Sequence, residues 1–354
     1  MKKILTQRRS GATEDAKKSS SIFTASVAPL RRCVSILFLL SFVGCTIKPS
    51  GPLAFVTNER DGTITVIDTN TDRVYSTIKL GGRLRGIRLS RDRTRIWVAI
   101  SYPTNQSQGE DKIAELDLNG NIIAKYEAGT DPENFVVDDN ATRLYIANED
   151  AGTASITDVK ANRVIASMPV GLEPEGAAMS PDGRWVYITS EASSSVSVID
   201  TQTGLVVKQF LVGARPREAA FTGDSARAYI TAENGNVVSV VDTRDHTVIK
   251  TIELPRGEGA AQLKPKGVVA SADGKRVYVA TGRGNSVAVI DGEQLTLITL
   301  IPVGQRPWGI ALTRDGRKLY TANGLSDDVS VIDTTTNKVI ATIKAGDGPW
   351  GIAL

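Results

Sequence analysis

Four glutamates recur at matching places in this chain: Glu59, Glu149, Glu191 and Glu233 each stand four residues before a run such as "TITVID" or "SVSVID". A carboxylate so placed can take a proton from water and direct the hydroxide at an ester or lactone carbonyl. A second charged set recurs before another short run: Arg83 and Arg85, Asp131 and Glu133, Glu173 and Glu175, Arg215 and Arg217, Lys264 and Lys266, Arg306 with Trp308, and Asp347 with Trp350. These residues could orient a charged ligand or protein partner, with Trp308 and Trp350 as an aromatic wall. The competing reading is structural: ion pairs between neighbouring units on a solvated rim, and tryptophans packed against the next unit. A third set, Asp68, Asp117, Asp158, Asp200, Asp242, Asp291 and Asp333, could be imagined as a metal ring, but each stands at the entrance of a turn that its carboxylate can cap. The single histidine, His246, lies in a turn phrase, "DTRDHTVI". No Ser/His/Asp set, phosphate-binding loop or Cys/His metal spacing is present.

The spacing of these residues defines the elements that carry them. The seven aspartates are separated by 41 or 42 residues in four intervals and by 49 in the other two, a period typical of propeller blades. Within one repeat, "EGAAMSPDGRWVYITSEASSSVSVIDTQTGLVVKQFLVG", four strand-like runs alternate with turns such as Ser180-Pro181-Asp182-Gly183. The expected fold is therefore all-β, a seven-bladed β-propeller over residues 53–354 with four antiparallel strands per blade. "LAFVTN" matches the second strand of a repeat and the final "WGIAL" matches the first, so the C-terminal strand should join the N-terminal blade and leave no open edge. In such blades the loops joining strands two and three emerge on the same face as the crossovers from strand four to the next strand one. That top face gathers both charged sets, and it also carries the two insertions, at 102–110 and 254–267. His246 falls on the opposite face.

With 42 basic against 39 acidic residues in 354, the net charge of +3 implies no polyanionic partner. Residues 1–45 combine basic residues, the apolar run "CVSILFLLSFVG" and Cys45, which reads as an export signal, with 46–52 as a short tether. "FVGC" resembles the lipobox of bacterial lipoproteins, with Phe42 where leucine is usual; it makes Cys45 a lipidation candidate. Cys33 and Cys45 are the only cysteines, so a processed chain has no internal disulfide.

The phrases "AFVTNERDGTITVIDT", "LYIANEDAGTASITDV", "VYVATGRGNSVAVIDG" and "LYTANGLSDDVSVIDT" resemble the YVTN family of seven-bladed propellers. "PEGAAMSPDGRWVYITSE" and "YTANGLSDDVSVID" look closer to the exported propellers associated with PQQ-dependent catabolism. That resemblance implies a periplasmic or envelope-bound, non-enzymatic binding or scaffold protein, without a cofactor of its own. Its implied partner is a quinoprotein dehydrogenase or its cytochrome, with membrane contact only through a lipid anchor and no nucleic acid. Envelope adhesion is the alternative. A propeller lactonase, using the glutamate set with arginines, rests on fold analogy alone.

Overall fold

The computed structural model describes residues 49–102, 109–257, 259 and 261–354. The export signal, Cys45 and most of the insertion at 102–110 lie outside the described residues. The described chain forms seven four-stranded antiparallel sheets. The strands run from β1 (Leu53–Asn58), β2 (Thr63–Asp68) and β3 (Arg73–Lys79) to β27 (Lys338–Lys344) and β28 (Pro349–Ala353). The innermost strands of the other six blades are β4 (Arg83–Leu89), β8 (Pro132–Val137), β12 (Pro174–Met179), β16 (Pro216–Phe221), β20 (Val268–Ala270) and β24 (Pro307–Leu312). These strands pack in sequence around an axis, and β28 stands between β24 and β4.

Closure follows the sequence expectation. β28 pairs antiparallel with β1, Phe55 opposite Ala353 and Val56 opposite Ile352, so the first sheet runs β28-β1-β2-β3. Of the expected tether, Ser50 is already folded onto this blade: its N–H and hydroxyl donate to Asp68 Oδ2 at 2.6 and 2.8 Å.

The core lies between blades. The third residue of the second strand is aromatic in every blade (Phe55, Trp97, Tyr145, Tyr187, Tyr229, Tyr278 and Tyr320), and all seven are buried. Flat rings fill the wedge between splayed sheets, and the phenol oxygens find partners at the rim; Tyr320 donates to Asp72 Oδ1 at 2.5 Å. His246 belongs to this layer, buried on the bottom face with Nδ1 2.7 Å from the Tyr187 hydroxyl.

The turns behave as their chemistry dictates. Each strand-three aspartate accepts a backbone N–H from its own turn: Asp242 Oδ1 from Arg244 at 3.0 Å, Asp291 Oδ1 from Gln294 at 2.8 Å, Asp333 Oδ1 from Thr335 at 2.7 Å, and likewise at Asp68, Asp117, Asp158 and Asp200. The metal-ring alternative has no geometric support, since these seven carboxylates are spent on seven separate turns. The outermost strands expose β-branched residues such as Ile123, Ile165 and Ile249, as expected where no further sheet covers them.

Candidate functional site at the channel mouth

Each innermost strand, or the residue step that leads into it, contributes one side chain to a ring at the top of the axial channel: Arg85, Glu133, Glu175, Arg217, Lys266, Trp308 and Trp350. The five charged members are all buried. This corrects the picture of a solvated rim: seven strands converge here, and the bodies of neighbouring side chains exclude water. Close approach is made possible by glycines at the next position. A Cβ on Gly176 would stand 2.3 Å from the Arg217 carbonyl oxygen, and one on Gly267 2.3 Å from that of Trp308. One step outward, Asp131, Glu173, Arg215, Lys264 and Arg306 all take positive φ, between 47° and 63°, a region costly for residues with a Cβ.

The charges sort into two clusters, each built on a buried arginine, Arg85 or Arg217. In the first, Arg85 Nε donates to Glu59 Oε1 at 3.0 Å, its Nη1 lies 3.4 Å from Glu149 Oε2, and it contacts Glu133 directly. Arg83 joins Glu59 at 3.0 Å and Asp131 at 3.6 Å. Asp131, Glu133 and Glu149 are close enough together to hold a cation, but the Arg85 guanidinium already contacts all three. In the second, Arg217 contacts Glu175 and Glu191, and Arg215 Nε lies 2.6 Å from Glu191 and 3.3 Å from Glu233. All four two-to-three glutamates thus reach the mouth. Glu173 remains exposed, and Lys264 Nζ donates to Asn234 at 2.6 Å. These arginines do pair with carboxylates of neighbouring blades, as the structural reading expected, through buried partners such as Glu133, Glu175 and Glu191 and half-buried ones such as Glu59 and Glu149. Burial, reinforced by Glu175 and opposed by Arg85, pushes the Glu149 carboxyl up to about 7.

The remaining arc is different. Trp308 and Trp350, on adjacent blades, stand 6.0 Å apart between ring centroids at 53°, and both indole Nε1 donors are buried without a partner among the described residues. They wall an axial cavity of about 70 Å³, room for several waters, whose other lining side chains include Glu175, Arg217, Lys266, Asn134, Arg88 and Glu218. Packing against the next blade and lining a cavity are here the same position.

Arg88 and Glu218 are functional candidates that the sequence reading missed. They come from blades on opposite sides of the channel, yet Arg88 Nη2 lies 3.8 Å from Glu218 Oε1. Arg88 lines both this cavity and a second one that opens to the bottom face among Val136, Ala178, Met179 and Ala220. The pair therefore bars the channel. Burial raises the Glu218 carboxyl above the ordinary glutamate range, against the Arg88 charge and hydrogen bonds from the Val268 N–H and Asn134. A signal did exist: position 88 is Val or Ala in the other six blades (Val136, Ala178, Ala220, Val269, Ala311, Ala353), and position 218 is Gly in five (Gly86, Gly176, Gly267, Gly309, Gly351).

The family model "Lactonase, 7-bladed beta-propeller" matches residues 206–345, a span that supplies seven of the thirteen cavity-lining residues, including Arg217, Glu218, Lys266 and Trp308. No curated protein matches the chain. Among solved structures, the hydrazine synthase of Kuenenia stuttgartiensis is 20% identical with a TM-score of 0.70, covering 81% of this chain and 94% of that one. A candidate 6-phosphogluconolactonase from Bacteroides fragilis is 16% identical with a TM-score of 0.70, covering 86% and 98%. Another from Bacteroides uniformis is 18% identical with a TM-score of 0.69, covering 85% and 98%. At these identities the structures share the fold. The expectation of a non-enzymatic scaffold is corrected by the family match, which is to lactonases and points to a hydrolase.

Proposed function

We propose that this propeller hydrolyses a lactone in the cavity at its channel mouth. The observation that carries the reading is Glu218: a carboxyl with a raised pKa, at the floor of a cavity walled by two tryptophans and faced by Arg88 and Arg217, inside the segment that matches the lactonase model. Trp350 offers a flat face to a sugar-like ring, and the N–H groups of Trp308 and Trp350, unpaired among the described residues, suit its oxygens. Glu218, when ionised, takes a proton from water. The hydroxide adds to the lactone carbonyl, and the oxyanion develops beside the arginines, which favour it electrostatically. Collapse breaks the ring C–O bond, and the departing alkoxide takes the proton from Glu218, giving a hydroxy acid. The raised pKa makes Glu218 a stronger base than an exposed glutamate.

The cellular setting implied by the sequence resemblance suits the same chemistry. Two-electron oxidation of a cyclic hemiacetal yields a lactone, so a quinoprotein oxidising sugars or other hydroxy aldehydes would generate substrate for a hydrolase exported and lipid-anchored at Cys45. The 6-phosphogluconolactonase designation of the Bacteroides proteins makes phosphorylated sugar lactones one arm of the test.

Acid release from neutral and phosphorylated sugar lactones, followed at constant pH, should exceed the solvent rate. Glu218→Gln should lower it about 10²- to 10⁴-fold with melting unchanged. Because the base must be ionised, activity should fall as pH drops through the Glu218 pKa, an acid limb lying above the ordinary glutamate value of about 4.3. Failure to accelerate any lactone would overturn the proposal.

A further inference from the structure

Lys266 has no part in that mechanism, and its surroundings are unusual for a lysine. The residue is buried, and its side chain lines the mouth cavity. Among the described residues its Nζ makes no hydrogen bond: the nearest carboxylate oxygen, Glu233 Oε2, is 3.9 Å away. That oxygen also serves Arg215 at 3.3 Å and Arg217 at 3.6 Å. The closest neighbour of Nζ is the indole of Trp308, 3.3 Å from the ring centroid, and the guanidinium of Arg306 lies over the same indole at 5.0 Å. Arg306 makes no ion pair among the described residues, although every other arginine at the mouth does.

We propose that Lys266 is a carbonyl-binding amine, which condenses with the aldehyde or ketone group of a small oxo acid while Arg306 holds the acid's carboxylate. This activity does not depend on lactone hydrolysis. The free amine adds to the carbonyl carbon, and the carbinolamine then loses water. Both amine protons leave with the carbonyl oxygen, so an imine and one water form without any further reactant.

The reacting form is the neutral amine, and the site favours it. Burial drives the Lys266 amine well below its usual range, and the neighbouring Arg217 and Arg306 act in the same direction; Glu175 and Glu233 oppose them. The indole face attracts an ammonium, but it also accepts an N–H from a neutral amine.

Glyoxylate with cyanoborohydride traps such an imine as a stable carboxymethyl-lysine, which peptide mass spectrometry locates. At about pH 6, where an ordinary lysine of pKa about 10.4 is almost wholly protonated, Lys266 in the wild-type protein should be labelled at least ~10-fold faster than exposed Lys344. Acetaldehyde, which lacks a carboxylate, should label it more slowly than glyoxylate, and Arg306→Gln should remove that preference. Labelling of Lys266 no faster than Lys344 would overturn the proposal, as would equal rates with both aldehydes. Neither readout requires lactonase activity, so hydrolysis and carbonyl capture stand or fall separately.

Discussion

The mouth shows how the meaning of a charged residue depends on what surrounds it. Arg217 is a buried cation held between Glu175 and Glu191, whereas Arg215 keeps 44% of its side chain exposed. Arg217→Glu would bury a fourth carboxylate against Glu175, Glu191 and Glu233 and should destabilise the protein by about 3–5 kcal/mol in thermal or denaturant unfolding, far more than Arg215→Glu. Glu149 offers a test by pH. Its folded pKa of about 7 exceeds the unfolded value of about 4.3, so its contribution to stability is most favourable below the unfolded value and declines as pH rises between the two. Glu149→Gln, which mimics the protonated form, should raise Tm at about pH 8 and leave it unchanged at about pH 4. Arg215 and Arg217 could be read from sequence as one of five charged pairs before the inner strands, and Glu149 as one of four recurring glutamates. Their burial could not, because it arises only when seven strands meet. Arg88 and Glu218 were harder still: Arg88 is a single departure from a column of Val and Ala, and Glu218 one of two departures, with Asn134, from a column of Gly, visible only once the repeats are aligned at the level of the inner strand.

Strands and turns were the most legible level. The aspartate period, the turn phrases and the alternation within each strand are local, and each maps directly onto a hydrogen-bonded feature of a blade. Even a non-local pairing, β28 with β1, followed from phrase matching, since a first strand without its own second strand can be satisfied only by a second strand without its first. The loops were less legible. The insertion around 254–267 is not merely a longer loop: Leu263 plugs the core between two blades, and Asn236 Oδ1 accepts the Leu263 N–H at 2.8 Å. The closing strand carries a prediction of its own. Ile352 is buried opposite Val56 in the shared core of the first and last blades. Ile352→Asp should destabilise by at least about 3 kcal/mol, and circular dichroism should show all blades melting together at a lower temperature.

At the scale of the whole molecule, the ring creates an interior that belongs to no single blade. Glu218 and Arg88 come from strands 130 positions apart in sequence, and only the circular arrangement makes them neighbours. The same arrangement places an aromatic arc on two blades and two acid-base clusters on the others, so the mouth is asymmetric although the scaffold repeats. The bar across the axis sets the traffic. A tube open at both ends could take in one molecule while releasing another, but a blind well has a single doorway, and whatever has entered must back out before anything new can follow.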